Sequence, residues 1–160
     1  MIRQDTNTAK VGRYNSEGRE LQHDSGQGLY VNPMYITEHL NGNVTVSDLI
    51  DNVSEIVVVT DSVGIHCFSN TGNSKESQFK RRGICTDALS RILLCDTYTK
   101  TVQMIDKDGQ FLAVLLTEQQ GIEYPLSLSY DHKSHLLWVG SLRNSTICIY
   151  KHLMMHEYLT

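Results

Sequence analysis

One turn signature recurs along the chain at nearly constant spacing. Asn15–Gly18, Asp61–Gly64 and Asp106–Gly109 share the form Asn/Asp-x-x-Gly, and their glycines lie 46 and then 45 residues apart. A strand-like run precedes each turn (KVGRY, IVVVT, TVQMI) and another follows it (RELQH, IHCFS, QFLAVLL). Asp and Asn begin such turns because the side chain accepts from backbone N–H groups just ahead. Gly ends them because it tolerates positive φ. Each unit therefore contains a hairpin with a four-residue connection.

Two further families of runs lie upstream of the later hairpins. NVTVSD (43–48), RILLCD (91–96) and HLLWVG (135–140) form one. MYITE (34–38), RGICTD (82–87) and PLSLSYD (125–131) form the other, and TICIYKH (146–152) adds a last outer run. The order is a, b, c, d, repeated, and no segment sustains a 3.6-residue apolar period. Four short strands in about 45 residues are the signature of a propeller blade. Leucine-rich repeats are shorter, ankyrin and TPR units are helical, and the GH and WD dipeptides of WD40 repeats are missing. A β-sandwich would not place three glycines in matching register. The expected fold is all-β, a partial β-propeller.

The chain has 160 residues, enough for one domain. With 40% hydrophobic and 20% charged residues it has the composition of a folded protein. No run of about 18 apolar residues marks a spanning helix. The segment MIRQDTNTAKVGR lacks the apolar stretch of a secretory signal, so the expected location is cytoplasmic. A net charge of −4 argues against general nucleic-acid binding but allows a local basic patch. None of Cys67, Cys85, Cys95 and Cys148 lies in a CxxC pair, so no zinc ribbon is expected. Cys67, Cys95 and Cys148 sit in apolar runs and read as buried free thiols. The Asn-x-Ser/Thr triplets at Asn43, Asn52 and Asn144 read as chance matches without a secretory route.

The strings NGNVTVSD, VVVTDSVG, GICTDALSRILLCD, TVQMIDKDGQFL and LSLSYDHKSHLLWVGS resemble NHL repeats. They are most similar to the C-terminal propellers of tripartite-motif (TRIM–NHL and TRIM-like) proteins. The resemblance runs over residues 9–152, between expected tails at 1–8 and 153–160. It implies a ring of six blades, about 270 residues at this repeat length. The chain would supply about three to three and a half of those blades. An open arc leaves sheet edges uncovered, and self-association is one way to cover them. Full-length relatives carry a RING finger, B-boxes and a coiled coil, and act as E3 ubiquitin ligases. Neither paired Cys/His zinc ligands nor heptads occur here, so zinc belongs only to that absent portion. What the resemblance implies for this chain is recognition of protein, or secondly of single-stranded RNA, without catalysis and without a membrane. The alternative is the recognition end of an E3 ubiquitin-protein ligase.

The same resemblance places the recognition surface on the b–c and d–a connections. Its candidate residues are Lys80, Arg81, Arg82, Tyr98, Lys100, Tyr124, Arg143 and Asn144. Glu123, Asp51, Asn52 and Thr97 lie on the same connections. Guanidinium groups and aromatic planes suit unpaired bases and phosphates, and also acidic or aromatic-anchored proteins. No catalytic constellation stands out. Ser141 lacks the Gly-x-Ser-x-Gly elbow. Asp48, Asp61, Asp96 and Asp106 read as turn-formers, and Asp108 belongs to the same turn as Asp106. His132 with His135, and His152 with His156, lack a third ligand by spacing, so no metal is expected. Isolated Gly72, Gly83 and Gly121 build no phosphate loop, and Trp138 is expected between blades.

Overall fold

A computed structural model describes residues 9–23, 28–51, 54–71, 81–143 and 145–152. The expected tails at 1–8 and 153–160 lie outside these residues. Among the described residues, thirteen strands form four antiparallel sheets. β1 (Gly12–Tyr14) and β2 (Glu20–His23) make a hairpin. β3 (Pro33–Glu38), β4 (Val44–Leu49), β5 (Glu55–Thr60) and β6 (His66–Asn70) make the first complete blade. β7 (Arg81–Thr86), β8 (Ile92–Asp96), β9 (Thr101–Ile105) and β10 (Phe111–Leu116) make the second. β11 (Pro125–Asp131), β12 (Leu136–Ser141) and β13 (Thr146–Lys151) make a three-stranded last blade. Each blade is a meander, and the inner strands β3, β7 and β11 lie side by side.

The repeated turn forms as its residues dictate. Asp61 Oδ1 accepts from Val63 N and Ile65 N, and Asp106 Oδ1 accepts from Asp108 N and Gln110 N. Gly64 and Gly109 take φ of 88° and 86°. The connections are one residue longer than expected, because residues 61–65 and 106–110 lie between the strands. The extra residue closes the turn through Asp61 N to Ile65 O and Asp106 N to Gln110 O.

The core lies between blades rather than inside them. One cluster joins Leu93, Cys95, Val102 and Met104 of the second blade to Tyr130, Leu137 and Val139 of the last. Another joins Val57 and Val59 of the first blade to Ile84, Ile92 and Leu94 of the second. A third places Ala9, Val11 and Tyr30 against Val44, Val46 and Val58. A strand in such a stack is covered on both faces, so its apolar residues need not alternate. β8 is buried throughout for this reason.

Two expectations fail on the same account. Trp138 is 39% exposed rather than packed between two blades, because no other described strand lies against the far face of the last blade. Of the three cysteines read as buried, only Cys95 is. Cys67 is exposed on the outermost strand β6, and Cys148 is half-buried on β13. Cys85 on the inner strand β7 is the second buried thiol.

Candidate functional site

Three connections converge on one face of the arc. Residues 97–100 and 142–145 join b to c strands, and residues 117–124 join β10 to β11. The last begins with a single 3-10 turn, Glu118–Gln120, which the sequence reading did not foresee. Thr117 caps it, accepting from Gln119 N, while Gln120 Oε1 accepts from Thr117 N, and Gly121 closes it at φ 86°. Thr117-x-x-Gln120 is a capping-box pattern, so the signal was in the sequence. Asp96, wholly buried at the end of β8, shapes the next connection by accepting from Tyr98 N and Thr99 N. Thr97 Oγ1 donates to Pro125 O at 3.0 Å, and Leu142 N donates to Tyr124 O at 3.2 Å.

These ties bring two cations over one ring. Lys100 Nζ lies 5.2 Å from the centroid of Tyr124, and Arg143 Cζ lies 4.9 Å from it. Arg143 Nη1 also donates to Tyr124 Oη at 3.2 Å. The face of the half-buried ring carries the negative lobe of its quadrupole, which attracts both cations. Lys100 pairs with Glu118, and that hydrogen bond raises the ammonium above its ordinary pKa. Lys100 and Tyr124 both hold left-handed backbone, with φ of 55° and 50°. That is uncommon for a bulky residue and costs roughly 1–2 kcal/mol at each. Tyr98, 59% exposed, stands on the same connection as Lys100.

Four of the eight sequence-predicted residues therefore share one connection cluster: Tyr98, Lys100, Tyr124 and Arg143. Arg81 and Arg82 are the first residues of β7 rather than part of a loop, because the strand begins one residue earlier than the RGICTD run suggested. Lys80 and Asn144 lie outside the described residues, as does Asn52. Asp51 is exposed on the 50–54 connection of the first blade. Glu118 was missed.

The opposite face holds a buried ionic cluster. Asp87 Oδ2 is 2.6 Å from Arg91 Nε and 3.1 Å from His152 Nε2. Burial alone would raise the pKa of Asp87. The hydrogen bonds from His152 and Arg91, with the guanidinium charge, outweigh it and hold the carboxyl below its ordinary value. Histidines from the two separate sequence pairs, His132 with His135 and His152, meet around Tyr130. Its ring lies 5.1 Å from that of His132, 6.2 Å from His135 and 5.7 Å from His152, and its hydroxyl is 2.7 Å from His135 Nδ1. The a–b turn carries His132 and His135 to the end of β13, a proximity that spacing could not reveal. Among the described residues no group of three His, Cys, Asp or Glu side chains is placed to hold a metal ion. His156 lies outside them. Among them, too, no helix is long and apolar enough to cross a membrane.

No protein-family model matches the chain, and no curated protein matches it in sequence. Solved structures do match in shape. A gluconolactonase from Xanthomonas campestris superposes with a TM-score of 0.58 at 16% identity, over 86% of this chain and 43% of that one. Virginiamycin B lyase from Staphylococcus aureus gives 0.58 at 13%, over 91% and 49%. A protein of unknown function from Bacteroides caccae gives 0.53 at 14%, over 90% and 54%. The fold is a partial β-propeller. The chain spans about half the length of the solved structures it resembles, and at these identities the likeness concerns fold alone.

Proposed function

We propose that the chain is a non-catalytic recognition module that docks a protein partner where Tyr98, Lys100, Tyr124 and Arg143 meet. The observation that carries this reading is the Tyr124 ring held under two cations from separate connections. Tyr and Arg are, with Trp, the side chains enriched at the anchors of protein interfaces. Among the described residues no carboxylate pairs with Arg143, so its guanidinium keeps N–H donors for an acidic partner. The reading accords with the resemblance to TRIM–NHL propellers. Service as the recognition end of a RING-type E3 ligase rests on that resemblance and on no group in this chain. An enzymatic reading has less support, because Asp87, Arg91 and His152 are turned inward onto one another.

The test compares affinity capture by the purified chain with capture by Arg143→Ala and Tyr98→Ala, followed by calorimetry on the captured protein. The expected result is at least tenfold weaker binding by both variants at unchanged melting temperature. A partner held equally well by all three would overturn the proposal. Binding of single-stranded RNA that weakens with salt and is lost in the triple Lys80, Arg81, Arg82 to Ala variant would replace protein by RNA as the ligand.

A further inference from the structure

The cluster around Tyr124 lies at the junction of the second and last blades, and its charges can be counted. Lys100 and Arg143 are its cations. Glu118 takes Lys100 Nζ. The hydrogen bond to Glu118 raises the pKa of Lys100, and the charge of Arg143 opposes it. The two cations therefore repel each other, and Glu118 cancels one of them. Among the described residues Arg143 joins no ion pair. It is exposed, and its Nη1 donates to Tyr124 Oη. A guanidinium has five N–H donors in one plane, so most of that fork stays available. Glu123, exposed beside Tyr124, adds a second negative charge to the same connection as Glu118. The 3-10 turn that carries Glu118 is fixed at both ends. Thr117 caps its start, and Tyr150 Oη on β13 donates to Gln120 O at 2.7 Å.

We propose that the partner's group received here is a single carboxylate, held by the fork of Arg143, and that Glu118 turns the site against a phosphate dianion. This rests on the recognition role proposed above. A guanidinium meets a carboxylate through two parallel N–H···O bonds, a match of shape as well as charge. One uncompensated cation balances one negative charge. A phosphorylated side chain carries about −1.5 to −2 at pH 7. The part of that charge beyond what Arg143 balances would stand beside Glu118 and Glu123. Lys100 cannot offset it without giving up Glu118, so Lys100 stays with Glu118 and is no ligand. The carboxylate has two sources in a protein, an acidic side chain or a C-terminus, and both present the same pair of oxygens.

The test titrates the isotope-labelled chain, followed by NMR, with three capped amino acids. N-acetylaspartate α-amide offers a side-chain carboxylate, N-acetylalanine a C-terminal one, and N-acetylphosphoserine amide a phosphate. The Nε–H signal of Arg143 and the backbone amides of the 97–100 connection report binding. One carboxylate probe should bind the wild type about fivefold tighter than the phosphoserine probe, and which one it is names the source. Arg143→Lys keeps the charge and loses the fork, so it should weaken that probe about fivefold. Lys100→Gln should change it by less than about twofold, because an exposed ion pair contributes little. Glu118→Gln should bring the phosphoserine probe level with the carboxylate or beyond it. Amide signals elsewhere should stay in place in every variant. Three results would each overturn the proposal: no shift with either carboxylate, a phosphoserine probe at least as tight in the wild type, or Arg143→Lys binding as well as wild type. The recognition role is judged apart from these, by capture of a partner. A partner lost in Arg143→Ala would keep the docking surface and discard only the carboxylate.

Discussion

The carboxylate of Asp87 reaches across a blade junction to the imidazole of His152, Oδ2 to Nε2 at 3.1 Å. Asp87 opens the a–b turn of the second blade, and His152 follows the last strand of the third. The same carboxylate takes Arg91 Nε at 2.6 Å, while Oδ1 accepts from Leu89 N and Arg91 N. Removing one member of a buried pair leaves the other charge uncompensated, which costs roughly 3–5 kcal/mol. Asp87→Ala should therefore lower the unfolding free energy by about that amount in urea titrations. His152→Ala should cost less, because Arg91 keeps its carboxylate. Equal losses would mean that Arg91 contributes nothing to the junction.

Acid should weaken the fold in two stages. His39 is buried, and burial lowers its pKa more than the charge of Asp87 raises it. The native state keeps it neutral beside Thr45 Oγ1, while the unfolded chain takes up a proton below its ordinary value of 6.5. Stability falls with pH from that point until the lower native pKa is passed. Asp87 also has a lowered native pKa, so its contribution is present above 3.8 and is lost as pH falls further. Melting temperatures between pH 8 and 3 should show both stages. In His39→Gln the first should shrink, so the gap to wild type narrows below pH 6.5. A gap constant with pH would remove His39 from the account.

Gly83 is where two inner strands touch. A Cβ there would lie 2.5 Å from Ser127 Cα, 2.7 Å from Leu128 N and 2.8 Å from Leu126 O, all backbone of β11. Main chain cannot step aside as a flexible side chain can, so Gly83→Ala should cost about 3 kcal/mol, the upper part of the overpacking range. Gly18→Ala provides the contrast. Among the described residues nothing lies within 4 Å of a Cβ at that position, and only its φ of 75° is strained, so about 1–2 kcal/mol is expected. Chemical denaturation of the two variants should separate packing from backbone strain, and a larger loss at Gly18 would reverse the argument.

The strands were legible in the sequence because the Asp-x-x-Gly turns mark the c–d hairpins and the apolar runs fill the spaces between. TVQMI and PLSLSYD fall at 101–105 and 125–131, where β9 and β11 lie. The a–b turn was harder to read. Asp87 to Arg91 has the same hydrogen bonds as the c–d turns, but Ser90 holds the left-handed position at φ 60°, so no glycine announced it. The Lys100–Tyr124–Arg143 cluster was legible only as three neighbouring connections. That they share one ring depends on the left-handed backbone at Lys100 and Tyr124, which neither residue type advertises. Gly83 appeared isolated because what requires it is a strand some forty residues later, and local pattern carries no record of that contact.

Thiol chemistry reports which surfaces the stack covers. All four cysteines are unpaired. Burial pushes the Cys85 thiol up to about 12, with the charge of Asp87 adding to it, and raises Cys95 further still. Thiolate is the reacting species, so both should be inert in the native protein at pH 8. Cys67 is exposed, although slight burial and Asp61 raise its pKa too, and Cys148 is half-buried on the last blade. An aromatic disulfide reagent should therefore modify Cys67 first and Cys148 more slowly, and reach Cys85 and Cys95 only in denaturant. Rapid native modification of Cys95 would contradict the packing of the second blade against the last, because Cys95 belongs to the buried cluster that Val102, Met104 and Val139 form at that junction.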